Sequence, residues 1–379
     1  GVIFTALVLI PNLTNFSSFI VNAIFLVVYN MIIYFLIGYA SFKKIKKLFL
    51  FLNIILFIFL LSALYFKESY LNHFTSSKDK YNNNYIILSE HPSFYGNLKV
   101  VGFKAYNQDY ISQYMLRTNN MTQGVVDKNG NSLHAFSYAL DALSQLSQSQ
   151  KGDALILGLG VGSVPKTLVD RGFNVDVVEI EPKTLKFAKK FFSYKPINTN
   201  FFFEDARTYV RKCKKNYDLI IIDLYFSDGV PEHLTTKEFY NDLNNCLSDK
   251  GILLSNSSND FQNKETLKLV LSTFGSVFNN LYYFDQPGKK MANLYIIASN
   301  NDKLERIYNF NPEFNYLPKK IKPELIRVFS NLKKFDNKNL KNEYINYDEK
   351  NRYSEFFAKS LMSYRKFQSL NNPSRLLIN

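Results

Sequence analysis

Three glycines alternate in Gly158-Leu159-Gly160-Val161-Gly162, between an apolar run at Ala154 to Leu157 and helical spacing at Val164 to Arg171. Glycines let a chain turn sharply and approach a ligand closely, and a helix N-terminus offers unpaired N–H groups. A second apolar run, Val175 to Val178, ends on Glu179. An acid at this position, about 20 residues beyond such a turn, can accept both hydroxyls of a ribose. A glycine turn alone could merely pack a helix on a sheet; strand, turn, helix and acid in register point to a nucleoside. Two further acids end apolar runs: Asp205 after Phe201 to Phe203 and Glu204, and Asp223 after Leu219 to Ile222. Asp223 opens a loop holding Tyr225, Phe226, Asp228, Gly229, Glu232 and His233. A carboxylate at a strand's carboxyl end is well placed as a general base. For Asp228 and Glu232 a solvated loop acid is the plainer reading, and His233 reads as a residue that holds the loop.

The elements that position these acids alternate. Apolar runs at 154–157, 175–178, 201–203, 219–222 and 252–255 interleave with helical spacing at 164–171, 183–192, 236–247 and 264–274. Such alternation predicts a Rossmann-like α/β fold, a mostly parallel sheet with helices on both faces, whose ligands sit at the carboxyl ends of the strands. Runs at 282–284 and 294–298 predict a closing antiparallel pair. Runs at 85–88, 98–103 and 110–118 predict a small antiparallel sheet before the main domain, and 136–146 a helix leading into it. The expected organisation is membrane helices over 1–66, a linker over 67–84, a small β domain over 85–125, a nucleoside-binding domain over 126–300 and a C-terminal helical appendage over 301–379, in which we find no chemistry.

The chain of 379 residues begins inside an apolar run without Met, which reads as a fragment of a longer, multi-pass protein. Phe19 to Ala40 and Leu48 to Phe66 are each long and apolar enough to cross the hydrocarbon core. The four lysines between Ser41 and Lys47 predict a cytoplasmic loop; taken literally, the chain after Phe66 then lies outside, whereas a cytosolic ligand places the domain inside. The net charge is +14, but 79–300 carries only +2, against +5 for 1–78 and +7 for 301–379. Anionic lipid explains flanking charge as well as nucleic acid does; with apolar spans in front, the expected partner is the bilayer and not nucleic acid. Two cysteines exclude a disulfide framework and suit a reducing compartment or indifference to redox state, and four scattered histidines predict no metal site.

Residues 85–300 resemble the spermidine synthase family of aminopropyltransferases, which shares the class I methyltransferase fold. The resemblance rests on Gly158 to Gly162, Val178-Glu179-Ile180-Glu181, Glu204-Asp205-Ala206, Asp223, and above all Pro231-Glu232-His233-Leu234-Thr235-Thr236-Lys237-Glu238-Phe239-Tyr240. With the apolar spans in front, the chain is most similar to the membrane-fused spermidine synthase-like proteins of bacteria, which implies an inner-membrane protein with a cytoplasmic catalytic domain. The resemblance implies aminopropyl transfer from decarboxylated S-adenosylmethionine to a polyamine-like amine, without a metal. Gly158, Gly160 and Gly162 would approach the nucleoside and its sulfur-bearing chain, Glu179 the ribose, Asp205 the adenine amino group with Ala206 beside it. Asp223 would take the proton, and Gln123, Tyr138 and Asp228 would serve the substrate. Three positions depart from the family pattern: Phe226 and His134 replace aspartates, and Gly96 a glutamine beside Tyr95. The alternatives are a methyltransferase using S-adenosylmethionine itself, which would want a basic pocket, and a non-catalytic membrane module that binds a nucleoside. Self-association into a homo-oligomer is left open.

Overall fold

Helices α1 (Asn15–Ile37) and α2 (Lys43–Tyr65) come first. The computed structural model describes residues 12–37, 43–147, 151–225, 229–301, 307, 311–313, 316–337 and 342–377. The two helices bury Ile20, Val27, Leu60 and Ala63 against one another and leave Phe19, Leu26, Phe35, Phe51 and Ile58 more than half exposed. Lys43 to Lys47, expected in a loop, instead start α2, since lysine is a good helix former. Residues 1–10, part of the stretch expected as membrane helices, lie outside the described residues. The expected linker begins as a helix, α3 (Lys67–Phe74), tied to the α1–α2 pair: Lys67 Nζ donates to Thr14 Oγ1 at 3.0 Å, and the Tyr70 and Ser62 hydroxyls lie 3.1 Å apart.

A four-stranded antiparallel sheet follows in the order β1 (Asn84–Ser93), β2 (Gly96–Lys104), β3 (Gln113–Thr118), β4 (Met121–Asp127). The fourth strand has no apolar run long enough to announce it; pairing with β3 makes it. Helix α4 (Ala135–Ser144), largely buried, leads into the α/β domain.

That domain runs β5 (Asp153–Leu157), α5 (Ser163–Asp170), β6 (Asn174–Val178), α6 (Pro182–Phe191), β7 (Thr199–Phe202), α7 (Ala206–Arg211), β8 (Tyr217–Ile222), α8 (Lys237–Asn245), β9 (Leu247–Asn259), α9 (Lys264–Gly275), β10 (Asn280–Phe284) and β11 (Ala292–Ser299). After α10 (Lys322–Phe329), β12 (Leu332–Lys334) completes an eight-stranded sheet in the order β12-β10-β11-β9-β8-β5-β6-β7. The five strands from β9 to β7 are parallel; β10, β11 and β12 pair antiparallel. Apolar side chains fill both faces: Ala154, Ile156, Val177 and Ile221 on one, Leu155, Leu157, Val178 and Ile222 on the other. The order β8-β5-β6 reverses direction at β5, the switch point where such sheets open a crevice. Cys213 and Cys246 lie side by side, with Cα atoms 6.0 Å apart. The chain ends in α11 (Tyr353–Asn371) and α12 (Ser374–Leu377).

Candidate active site

The crevice at β5 opens into a cavity of about 510 Å³. Its floor is the glycine turn, where three glycines do three different things. Gly158 has φ +97°, and a Cβ there would lie 2.3 Å from the Asp223 carbonyl oxygen, so the turn passes hard against β8. Gly160, at φ +54°, faces open space within the cavity. Gly162 caps α5 at φ +83°, and its Cβ would meet the Tyr194 ring at 2.5 Å. The expectation that all three approach a ligand is therefore corrected: Gly162 packs a helix and does not line the cavity.

Glu179 leaves β6 pointing into the crevice. Its carboxylate accepts from the Leu159 N–H at 3.1 Å and the Glu181 N–H at 2.9 Å. Burial pushes its carboxyl pKa up, against those two N–H groups, which pull it down. Asp205 caps α7, accepting from the Thr208 N–H at 3.0 Å, and its other oxygen lies 3.0 Å from His233 Nε2. Burial raises its pKa, but the bonds from His233 and Thr208 outweigh burial and hold it below the usual range. Ala206 lines the cavity beside it. The His233 ring thus ties its part of the loop to Asp205. Arg207, paired with Asp348, supports it further by donating to the His233 carbonyl at 3.0 Å.

Asp223 stands across the glycine turn from these acids. Burial raises its carboxyl pKa to about 6, and one hydrogen bond opposes that: Asn256 Nδ2 donates to Oδ1 at 2.8 Å. Asn256, within β9, was legible only as a polar residue after an apolar run. Gln123 on β4 lines the cavity, as do Tyr95 and Gly96. Tyr138 does not: it is 7% exposed within the core, and its hydroxyl donates to the Ser132 carbonyl at 2.8 Å. The expectation of a substrate role for Tyr138 is corrected on that ground, since the turn of α4 that carries it packs inward. Asp228 and Phe226 lie outside the described residues. His134 faces the cavity, and burial lowers its pKa to about 4, so the ring is neutral near pH 7. Among the described residues, no group of three or more His, Cys, Asp or Glu could hold a metal ion.

The described lining carries Glu179, Glu181, Glu204, Asp205 and Asp223, and no lysine or arginine. Such a field favours a cationic ligand and opposes a carboxylate-bearing one.

The chain is similar in sequence and in fold to known proteins. Residues 134–303 match the spermine/spermidine synthase domain. A polyamine aminopropyltransferase of Vibrio vulnificus is 33% identical over 159 residues, 40% of this chain and 52% of that protein. An N-terminal histidine N-methyltransferase of Emericella nidulans is 34% identical over 131 residues, 33% of this chain and 23% of that protein. The chain thus spans about half the length, or less, of these curated relatives. In fold it is similar to a probable spermidine synthase from Corynebacterium glutamicum, with a TM-score of 0.53 at 15% identity, over 69% of this chain and 97% of that one.

Proposed function

We propose that the α/β domain, whose residues 134–303 match the spermine/spermidine synthase domain, is a member of that family, and that the protein transfers an aminopropyl group from decarboxylated S-adenosylmethionine to an amine. The observation that carries the choice of donor is the lining: five carboxylates, with no lysine or arginine among the described lining residues. The decarboxylated donor is cationic at both its sulfonium and its amine, whereas S-adenosylmethionine also carries a carboxylate that this wall would repel. In the reaction the acceptor's nitrogen lone pair forms a C–N bond to the carbon beside the sulfonium. The C–S bond breaks, its electron pair stays on sulfur, and methylthioadenosine leaves. Asp223 takes the proton from the attacking nitrogen; holding amine and donor in line supplies much of the rate. Glu179 binds the ribose, Asp205 and Ala206 the adenine, and Gly160 leaves room for the chain. Gln123 is placed for the substrate, and Asp228 keeps its proposed substrate role.

A methyltransferase is the second reading, favoured by the relative of that activity; a non-catalytic nucleoside-binding module is the third. Calorimetry with the decarboxylated donor, S-adenosylmethionine and methylthioadenosine separates them. The proposed enzyme binds the first and third at least ten times more tightly than the second. Preference for S-adenosylmethionine would install the methyltransferase reading, and binding without turnover of any amine the module.

We also infer a membrane anchor in a bacterial inner membrane. Two helices are long and apolar enough to span it, and their outer faces expose large apolar side chains that lipid would cover.

A further inference from the structure

One cavity residue comes from the C-terminal appendage. Tyr364 lies on α11, and the helix that carries it is held at both ends. At the first end Phe357 is buried beside Leu269. Asn263 Nδ2 and Thr266 Oγ1 donate to the Phe356 carbonyl at 3.0 and 3.1 Å, and Ser360 Oγ donates to Asp260 at 2.7 Å. At the far end Asn372 accepts from the Arg117 guanidinium on β3 at 3.3 Å. Arg375 then pairs with Glu68 of α3 at 2.6 Å. The helix is a beam from the α/β domain to the small sheet, with Tyr364 on its span.

The side of the cavity it closes follows from sheet order. Glu179 and Asp205 follow β6 and β7, on one side of β5; Asp223 follows β8, on the other, and β9 lies beyond it. Helix α11 is anchored to Asp260 and Asn263, just past β9. Arg117, also bonded to the cavity residue Thr122 at 2.9 Å, reaches the same helix from the small sheet. Tyr364 therefore stands on the Asp223 side, away from the nucleoside acids. Its hydroxyl accepts from Gln368 Nε2 at 2.7 Å, one turn further along, which fixes the ring.

We propose that Tyr364 is the wall that sets how long an amine can lie beside Asp223, making the C-terminal helix the specificity element of the site. The inference rests on the proposed function, because it takes the Asp223 side of the cavity as the acceptor's. The test uses the full chain in detergent micelles, saturated with methylthioadenosine, and titrates 1,4-diaminobutane and 1,7-diaminoheptane into the wild type, Tyr364→Phe, Tyr364→Leu and Tyr364→Ala. The wild type and Tyr364→Phe should favour the shorter amine. Tyr364→Ala and Tyr364→Leu should shift the ratio of affinities at least tenfold toward the longer one, with methylthioadenosine binding unchanged within twofold. Tyr364→Leu keeps the helix filled should the alanine variant fold poorly. An unchanged ratio with intact methylthioadenosine binding overturns the inference and leaves the proposed function standing, as does a wild-type complex that binds neither amine. Failure of the wild type to bind methylthioadenosine overturns both.

Discussion

At the scale of single residues, the proposed function divides binding from chemistry between Glu179 and Asp223, and the division is measurable. Glu179→Ala removes the proposed ribose acceptor and should weaken every adenosyl ligand by about 2–3 kcal/mol, the worth of two charge-assisted hydrogen bonds. It also strips the Leu159 and Glu181 N–H groups of their acceptor, so affinity is to be measured by calorimetry on protein shown to be folded. Asp223→Asn keeps size and an acceptor but cannot take a proton. Turnover should fall by roughly 10²–10⁴, the usual contribution of a positioned base, while nucleoside affinity stays as it was. The pKa of Asp223, raised to about 6 by burial, fixes the pH dependence. Below that value the carboxyl is protonated and cannot act as a base, so kcat should climb as pH rises through about 6. A profile of kcat against pH checks this: the rise should vanish in Asp223→Asn, and its persistence would move the base elsewhere.

At the scale of elements, the glycine turn predicts opposite outcomes for two residues of one motif. Gly162→Ala forces a Cβ against the Tyr194 ring at positive φ, so it should cost about 1–3 kcal/mol of stability or more. Gly160→Ala meets no protein atom within 4 Å; it should cost only about 1–2 kcal/mol of backbone strain and act mainly by intruding on the nucleoside. Thermal melts and nucleoside titrations on both variants distinguish packing from binding, and equal loss of affinity in both would return Gly162 to the ligand. The loop after Asp223 is likewise an element held from outside. Asn351 donates to the Glu232 carbonyl at 2.7 Å, and Asp348 pairs with Arg207 under His233. The appendage in which the sequence offered no chemistry thus braces the loop as well as supplying Tyr364.

At the scale of the whole molecule, the α1–α2 pair and the domain are joined at one end. Thr14 before α1 and Lys67 after α2 are hydrogen-bonded, so the lysines that open α2 lie at the far end of that helix from the domain. The expected outcome is a protein that sediments with membranes, resists salt and alkaline washing, and is released by detergent; release by salt alone would remove the bilayer as partner. Because adenosyl sulfonium donors are made in the cytosol, a cysteine at Ser77 should resist a membrane-impermeant thiol reagent in intact cells, with the unsubstituted chain as the baseline. Ready labelling would put the domain outside and the lysines inside, as their charge by itself suggests.

What the sequence determined by itself was local and contiguous. The apolar runs, the glycine turn and the acids at strand ends are written in short stretches, because a strand's carboxyl end and a tight turn are made by neighbouring residues. Those stretches sufficed for the α/β fold, for the cavity positions of Gly158, Gly160, Glu179, Asp205, Ala206 and Asp223, and for two helices long enough to span a bilayer. The tertiary structure decided what depends on residues far apart in the chain. It withdrew Gly162 and Tyr138 from the cavity by packing them inward, brought Cys213 beside Cys246, and set Asn256 on Asp223. It made His134 neutral by burial, which no motif encodes. It brought Tyr364 to the cavity through a helix whose end bonds Arg117 from Asn372, 255 residues away. Periodicity says that such a helix exists; only packing decides which wall it becomes.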